Sequence, residues 1–131
     1  MSKLEKEIIQ NLETFLNNEL KEYEYSTSTH DSIQIYAINK KDSSDNWQLI
    51  RLGINDNNEQ IYISNLHVGD LKYNGIGKKM ISIVYHTGKR QNYDTLLVQL
   101  VDSFYERLLR RGALRTNEYD TLMIVDTTNL D

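Results

Sequence analysis

One stretch limits what this chain can fold into more than any other. An apolar run over residues 61–68 leads into it, and a helical pattern with apolar residues at Ile76, Met80, Ile83 and Val84 leaves it. Between strand-like and helix-like patterns stand Gly75 and Gly77, one residue apart. A glycine turn that opens a helix aims several backbone N–H groups at one spot, and the helix dipole makes that spot attractive to anions. Lys78 and Lys79 follow at once. Cations in a first helical turn cost roughly 0.3–1 kcal/mol each, a cost that phosphates bound there would offset. The pattern predicts a phosphate-binding turn between a strand and a helix.

Two common phosphate motifs fail on residues. A dinucleotide fingerprint needs glycine where Met80 stands. A P-loop needs glycine at Lys72 and Ser or Thr at Lys79. The run Leu66-x-Val68, then Lys72-x-x-Gly75-x-Gly77, resembles motif A of the GCN5-related N-acetyltransferases, with Lys72 in place of the usual Arg or Gln. That family's loop grips the pyrophosphate of acetyl-CoA. The resemblance spans residues 4–126, and its specific part is 61–79. A second segment, Phe104-Tyr105-Glu106-Arg107 followed by Gly112-Ala113, is similar to the family's F-Y-E-x-x-G-F, but stretched.

Along the chain, Ser2 and Glu5 form an S-x-x-E capping box, and Leu4, Ile8, Leu12, Phe15, Leu16 and Leu20 recur at helical spacing. A helix over residues 2–23 is expected, packed on a sheet, with a homodimer interface as the other use of its stripe. Residues 25–31 are rich in Ser and Thr and read as a loop. Strands are expected at 33–38, 47–54 and 59–68, joined by short turns as an antiparallel meander. In the third, Ile61, Ile63, Asn65 and His67 would face one way, and Tyr62, Ser64, Leu66 and Val68 the other. A helix follows to about Arg90, then a buried strand at 95–100, giving parallel pairing through a crossover. A helix capped by Ser103 with Glu106, or by Asp102, would end at Gly112. Short strands at 113–116 and 121–125 close the chain. The fold class expected is α/β (α+β): an acyl-CoA N-acyltransferase-like mixed sheet, an antiparallel meander followed by a parallel β-α-β crossover, with helices on both faces.

Composition sets the remaining limits. A chain of 131 residues is the size of one domain. It has no cysteine, which excludes disulfides and thiolate chemistry, and its histidines show no metal-ligand spacing. No apolar run nears the roughly 20 residues of a membrane span, and no secretory signal is visible, so a cytoplasmic protein is expected. The net charge of −4 does not favour nucleic acid. It permits an amine-bearing partner.

The resemblance implies a site. Leu66, Val68, Lys72, Tyr73, Asn74, Gly75, Ile76, Gly77 and Lys78 would hold acetyl-CoA as co-substrate, without a metal. The acceptor would be an amine on a small molecule, protein or peptide. Tyr105 matches the tyrosine that protonates the departing thiolate in many members, a role suited to a phenol. Its distance in sequence to Gly112 is longer than the family's, so either Tyr105 reaches the sulfur from one turn earlier or that acid is missing. Glu59 and His67, both on the strand before the loop, are candidate bases. Two other readings stay open: a catalytically silent member acting through protein contacts, with or without CoA, and a small binding module unrelated to CoA.

Overall fold

A computed structural model describes residues 1–67 and 75–131. Helix α1 (Lys3–Glu19) begins with the expected capping box: Glu5 N–H donates to Ser2 Oγ at 3.2 Å, and Ser2 N–H donates to Glu5 Oε1 at 3.2 Å. Leu4, Ile8, Leu12 and Leu16 sit one helical turn apart and are all buried. Full burial of such side chains stabilises by about 1.5–3 kcal/mol each.

The segment rich in Ser and Thr is not a loop. It forms β1 (Tyr23–Ser28), paired antiparallel with β2 (Ile33–Asn39) over six residue pairs. Its residues alternate after all: Tyr23, Tyr25 and Thr27 turn towards α1, whereas Glu24 and Ser26 are exposed. An edge strand with one wet face needs few apolar residues, so Ser and Thr content was a poor guide.

Strands β3 (Asn46–Asn55) and β4 (Gln60–Leu66) complete a meander of four antiparallel strands. Two register shifts interrupt it. Leu49 is an extra residue opposite the step from Ile35 to Tyr36, and Ser64 is an extra residue opposite the step from Arg51 to Leu52. An extra residue in one strand inverts the side-chain phase beyond it. Leu49 and Ile50 are therefore both buried in succession. On β4, Ile61 and Ile63 face the core as expected, but the phase then flips: Asn65 turns outward and Leu66 packs against the core. The expected grouping of Asn65 with Ile61 and Ile63, and of Leu66 with Tyr62, is corrected by the bulge at Ser64.

Helix α2 (Ile76–Lys89) and β5 (Asp94–Leu97) follow, and β5 lies parallel to β4. Helix α3 (Asp102–Arg110) leads to β6 (Leu114–Arg115) and β7 (Leu122–Ile124). Among the described residues the sheet has seven strands in the order β1-β2-β3-β4-β5-β7-β6, with every neighbouring pair antiparallel except β4 and β5. The chain is thus an α+β protein with a mixed, mostly antiparallel sheet and, among the described residues, three helices. Helices α1 and α2 pack against each other, with Asn11 Nδ2 donating to Thr87 Oγ1 at 3.0 Å. Their buried residues and those of β2, β3 and β4 form one core. Gly88 lets α2 press on the sheet, because a Cβ there would lie 2.5 Å from Ile61 Cδ1.

Helix α3 opens after Val101 with no side-chain cap, so neither Ser103 nor Asp102 caps it. Asp102 is instead its first residue, where a carboxylate complements the dipole. The far end closes as expected. Gly112 has φ of 97°, its N–H donates to Leu109 O at 3.0 Å, and Ala113 N–H donates to Leu108 O at 3.0 Å, the paired bonds of a Schellman cap.

Candidate functional site

The site begins where β4 and β5 stop being neighbours. Their register runs from Gln60 opposite Asp94 to Ile63 opposite Leu97, and Val98 N–H adds one more bond to Ile63 O at 3.0 Å. Then both strands change course. The bulge at Ser64 bends β4. On the other side Gln99 adopts φ of 58°, and Leu100 N–H donates to Asp120 O at 3.0 Å, towards the loop before β7. The expected strand at 95–100 therefore ends at Leu97. Between the diverging ends lies an open cleft of about 150 Å³, lined by Ile63, Ser64, Asn65 and Leu66 on one side and by residues 97–101 with Phe104 on the other.

Helix α2 is the next described element after β4. Gly75, its N-cap, sits in the left-handed region with φ of 69° and ψ of 17°, which glycine adopts without penalty. No side chain caps the helix, and its first carbonyl acceptor is Gly75 O, reached by Lys79 N–H at 3.1 Å. The N–H groups of Ile76, Gly77 and Lys78 thus precede the ladder by helix geometry. Ile76 itself is buried in the core, so only its backbone can face a ligand. Lys78 Nζ donates to the carbonyl of Asp131 at 2.9 Å. Val68, Lys72, Tyr73 and Asn74 lie outside the described residues.

The strand end that enters this segment is pinned from the side. His67 N–H donates to Leu49 O at 2.9 Å, and Trp47 Nε1 donates to His67 O at 2.9 Å. Trp47 in turn meets Tyr23 edge to face, with ring centroids 5.3 Å apart. The His67 side chain is exposed.

Of the candidate acid and bases, Glu59 is set apart from the cleft. Glu59 is exposed, with φ of 52°, in the turn before β4. At about 3.3 Å per residue it stands roughly 13 Å along the strand from Ile63, the nearest residue of the cleft. Tyr105 is half-buried in the first turn of α3, but the aromatic side chain that lines the cleft is its neighbour Phe104. Among the described residues lining the cleft, none carries a titratable side chain.

Sequence reasoning missed Ser64, Gln99 and Asn65. The break in alternation between Ile63 and Leu66 was the available sign of a bulge. Nothing local marked Gln99 as a left-handed residue.

A tyrosine with strongly perturbed surroundings lies elsewhere. Tyr85 on α2 is buried and donates its hydroxyl to Asp126 Oδ1. Burial, and then this hydrogen bond to a carboxylate, push its phenol up to about 12. It is a structural strut between α2 and the segment after β7.

No helix among the described residues is long and apolar enough to cross a membrane. Set against protein-family models, curated proteins and solved structures, the chain finds no match in any of the three.

Proposed function

We propose that this protein is an acyl-CoA-dependent N-acetyltransferase of the type that residues 66–79 resemble, with the pantetheine arm entering between the ends of β4 and β5. The observation that carries the reading is the parting of these strands after Ile63 and Val98, in a chain whose next helix after β4 opens at Gly75 without a side-chain cap. A paired sheet has no room for a ligand arm between neighbouring strands, whereas this cleft is a gap in the ladder, and in this reading the uncapped start of α2 attracts the diphosphate. Leu66, Leu97, Leu100 and Phe104 give it apolar walls suited to the arm, and the diphosphate would sit at the turn leading into Gly77 and Lys78.

In this reading the amine attacks the thioester carbonyl carbon directly. The new C–N bond forms, the C–S bond breaks, the amine loses a proton and the thiolate gains one. The protein's main contribution is to hold the two reactants in line. Tyr105 is the residue of α3 nearest in sequence to the cleft wall that can supply the thiolate's proton. His67 stands closer to the cleft than Glu59 and is the better candidate to receive the amine's.

The test is calorimetry and thermal unfolding with acetyl-CoA, followed by thiol release over a panel of amines and peptides. A ligand at a hundred times its Kd stabilises the native state by about 2.7 kcal/mol, an easily measured rise in Tm. No heat and no rise at millimolar acetyl-CoA would rule the reading out.

One observation favours a second reading. Because no titratable side chain lines the cleft among the described residues, a silent relative that binds CoA and acts through protein contacts fits as well. CoA binding without thiol release for any amine would select it.

A further inference from the structure

The outer face of the sheet carries a directional chain of amides that ends at the cleft. Gln34 Nε2 donates to Ser32 Oγ at 3.3 Å, and Tyr36 OH donates to Gln34 Oε1 at 2.8 Å. Gln48 Nε2 donates both to Gln34 Oε1 at 2.9 Å and to Tyr36 Oη at 3.2 Å. With its NH2 committed to β2, Gln48 must present Oε1 towards β4. There it accepts from Asn65 Nδ2 at 2.8 Å. An amide held by its NH2 keeps its oxygen as an acceptor. Asn65 lines the cleft, so Oδ1 offers a fixed, uncharged acceptor for the N–H of an incoming amine.

A cation stands beside it. Arg51 is the register partner of Asn65 across β3 and β4 and of Gln34 across β2 and β3. Partners in an antiparallel pair have Cα atoms roughly 4.5–5.5 Å apart and share a face. Arg51 is exposed, and the ion pairs among the described residues are Lys3 with Glu7 and His30 with Asp31. Its neighbours on that face, Gln34, Gln48, Tyr62 and Asn65, are all neutral, so an anion arriving there meets no like charge. A guanidinium suits a planar carboxylate or a phosphate through paired N–H bonds.

We infer that the acceptor is a small amine that also carries an anionic group, its nitrogen held at Asn65 and its anion at Arg51. The inference rests on the acetyl-CoA reading above. It also accounts for the amide chain, in which Gln34, Tyr36 and Gln48 are positioning residues that set which atom of Asn65 faces the cleft.

The test titrates three matched amines by calorimetry into the CoA-saturated full chain: ethylamine, 3-aminopropanoate and O-phosphoethanolamine. At least one anionic amine should bind tenfold or more tightly than ethylamine, and the better of the two tells whether the anion is a carboxylate or a phosphate. Arg51→Gln should remove that advantage and leave ethylamine unchanged. Asn65→Leu should weaken all that bind, by severalfold. Both residues are exposed, and an unchanged Tm for each variant verifies folding. Equal binding of the three amines, binding of none, or an Arg51→Gln variant that keeps the preference overturns the inference while CoA binding stands. Absence of CoA binding in the same preparations overturns the reading beneath it, and the inference with it.

Discussion

Val98 N–H donates to Ile63 O at 3.0 Å, the last bond between β4 and β5 among the described residues, and two residues later Leu100 N–H donates to Asp120 O instead. Between them Gln99 carries the turn with φ of 58°. β5 is paired with β7 from Thr95 to Leu97, so past the left-handed Gln99 the chain stays bonded on the β7 side while it leaves β4, and the cleft opens there. The bulge at Ser64 bends the opposite lip at the same level.

Gln99 therefore sets both stability and cleft width. Left-handed backbone costs a residue with a Cβ about 1–2 kcal/mol, and glycine regains most of that at an entropic cost of about 0.5–1 kcal/mol. Gln99→Gly should be neutral to about 1 kcal/mol more stable. Gln99→Val, β-branched, should lose about 1–2 kcal/mol and weaken CoA binding as β5 is pushed back towards extended geometry. Urea midpoints and CoA calorimetry on both variants check this. A valine variant as stable as wild type would count against the strain.

The same two residues mark what sequence reasoning reached. The helix stripe from Leu4 to Leu16, the capping box at Ser2, the crossover from β4 to β5 and the Gly112 terminus were all legible, because each rests on local spacing or a local cap. The face of each strand residue was not. Alternation reads a strand correctly until a bulge inverts it, and the inversions at Leu49 and Ser64 depend on pairing with a partner that the chain does not display locally. The uneven alternation from Trp47 through Leu52 was the trace of the first of these. The strand β1 was hidden for a different reason: its polar residues are tolerated only because it is an edge. At the candidate site, the turn at Gly75 was legible from its glycines, whereas Asn65 and Arg51 gain their meaning from register across β3 and β4.

Trp47 holds the backbone at the cleft's mouth. Its indole N–H donates to His67 O at 2.9 Å, five residues before Lys72, where the loop expected to grip the diphosphate begins. Trp47→Phe keeps a ring against Tyr23 but loses the donor. Stability should fall by about 1 kcal/mol, the net worth of one hydrogen bond. If the strand end positions the phosphate turn, CoA affinity should fall severalfold as well. Calorimetry on the variant, run below its Tm, separates the two effects. Unchanged affinity would place the role of Trp47 in stability alone.

Gly88 is favoured by packing. Its φ is ordinary, so the constraint is the space a Cβ would need: 2.5 Å from Ile61 Cδ1, itself fully buried. Alanine gains up to about 1 kcal/mol in helix propensity, but overpacking costs about 1–3 kcal/mol. Gly88→Ala should be destabilising on balance. Ile61→Val removes the offending methyl and alone should cost about 0.5–1.5 kcal/mol. The double variant should then be more stable than the sum of the two losses predicts, with a coupling of about 0.5–3 kcal/mol. Additive losses in thermal or urea unfolding would show that α2 simply shifts to make room.

High pH should unfold this protein through its tyrosines. Burial raises Tyr85 and Tyr25 to about 12, the first helped by its bond to Asp126 and the second by its neighbour Tyr23. In the unfolded chain a phenol titrates near its ordinary value of about 10. As pH rises past that value, the unfolded state releases protons that the folded state still holds, so the unfolded state binds fewer protons and stability falls with pH. The full contribution is present below about pH 10 and is lost as pH approaches 12. Urea unfolding between pH 8.5 and 11.5 should show this decline. Tyr85→Phe should be less stable than wild type at neutral pH by about 1 kcal/mol, having lost the bond to Asp126, and its decline above pH 10 should be shallower. The two curves should therefore approach one another as the solution becomes more alkaline. Parallel curves would mean that Tyr85 ionises as readily in the folded chain as in the unfolded one, and that its burial beneath the segment after β7 does not hold its proton.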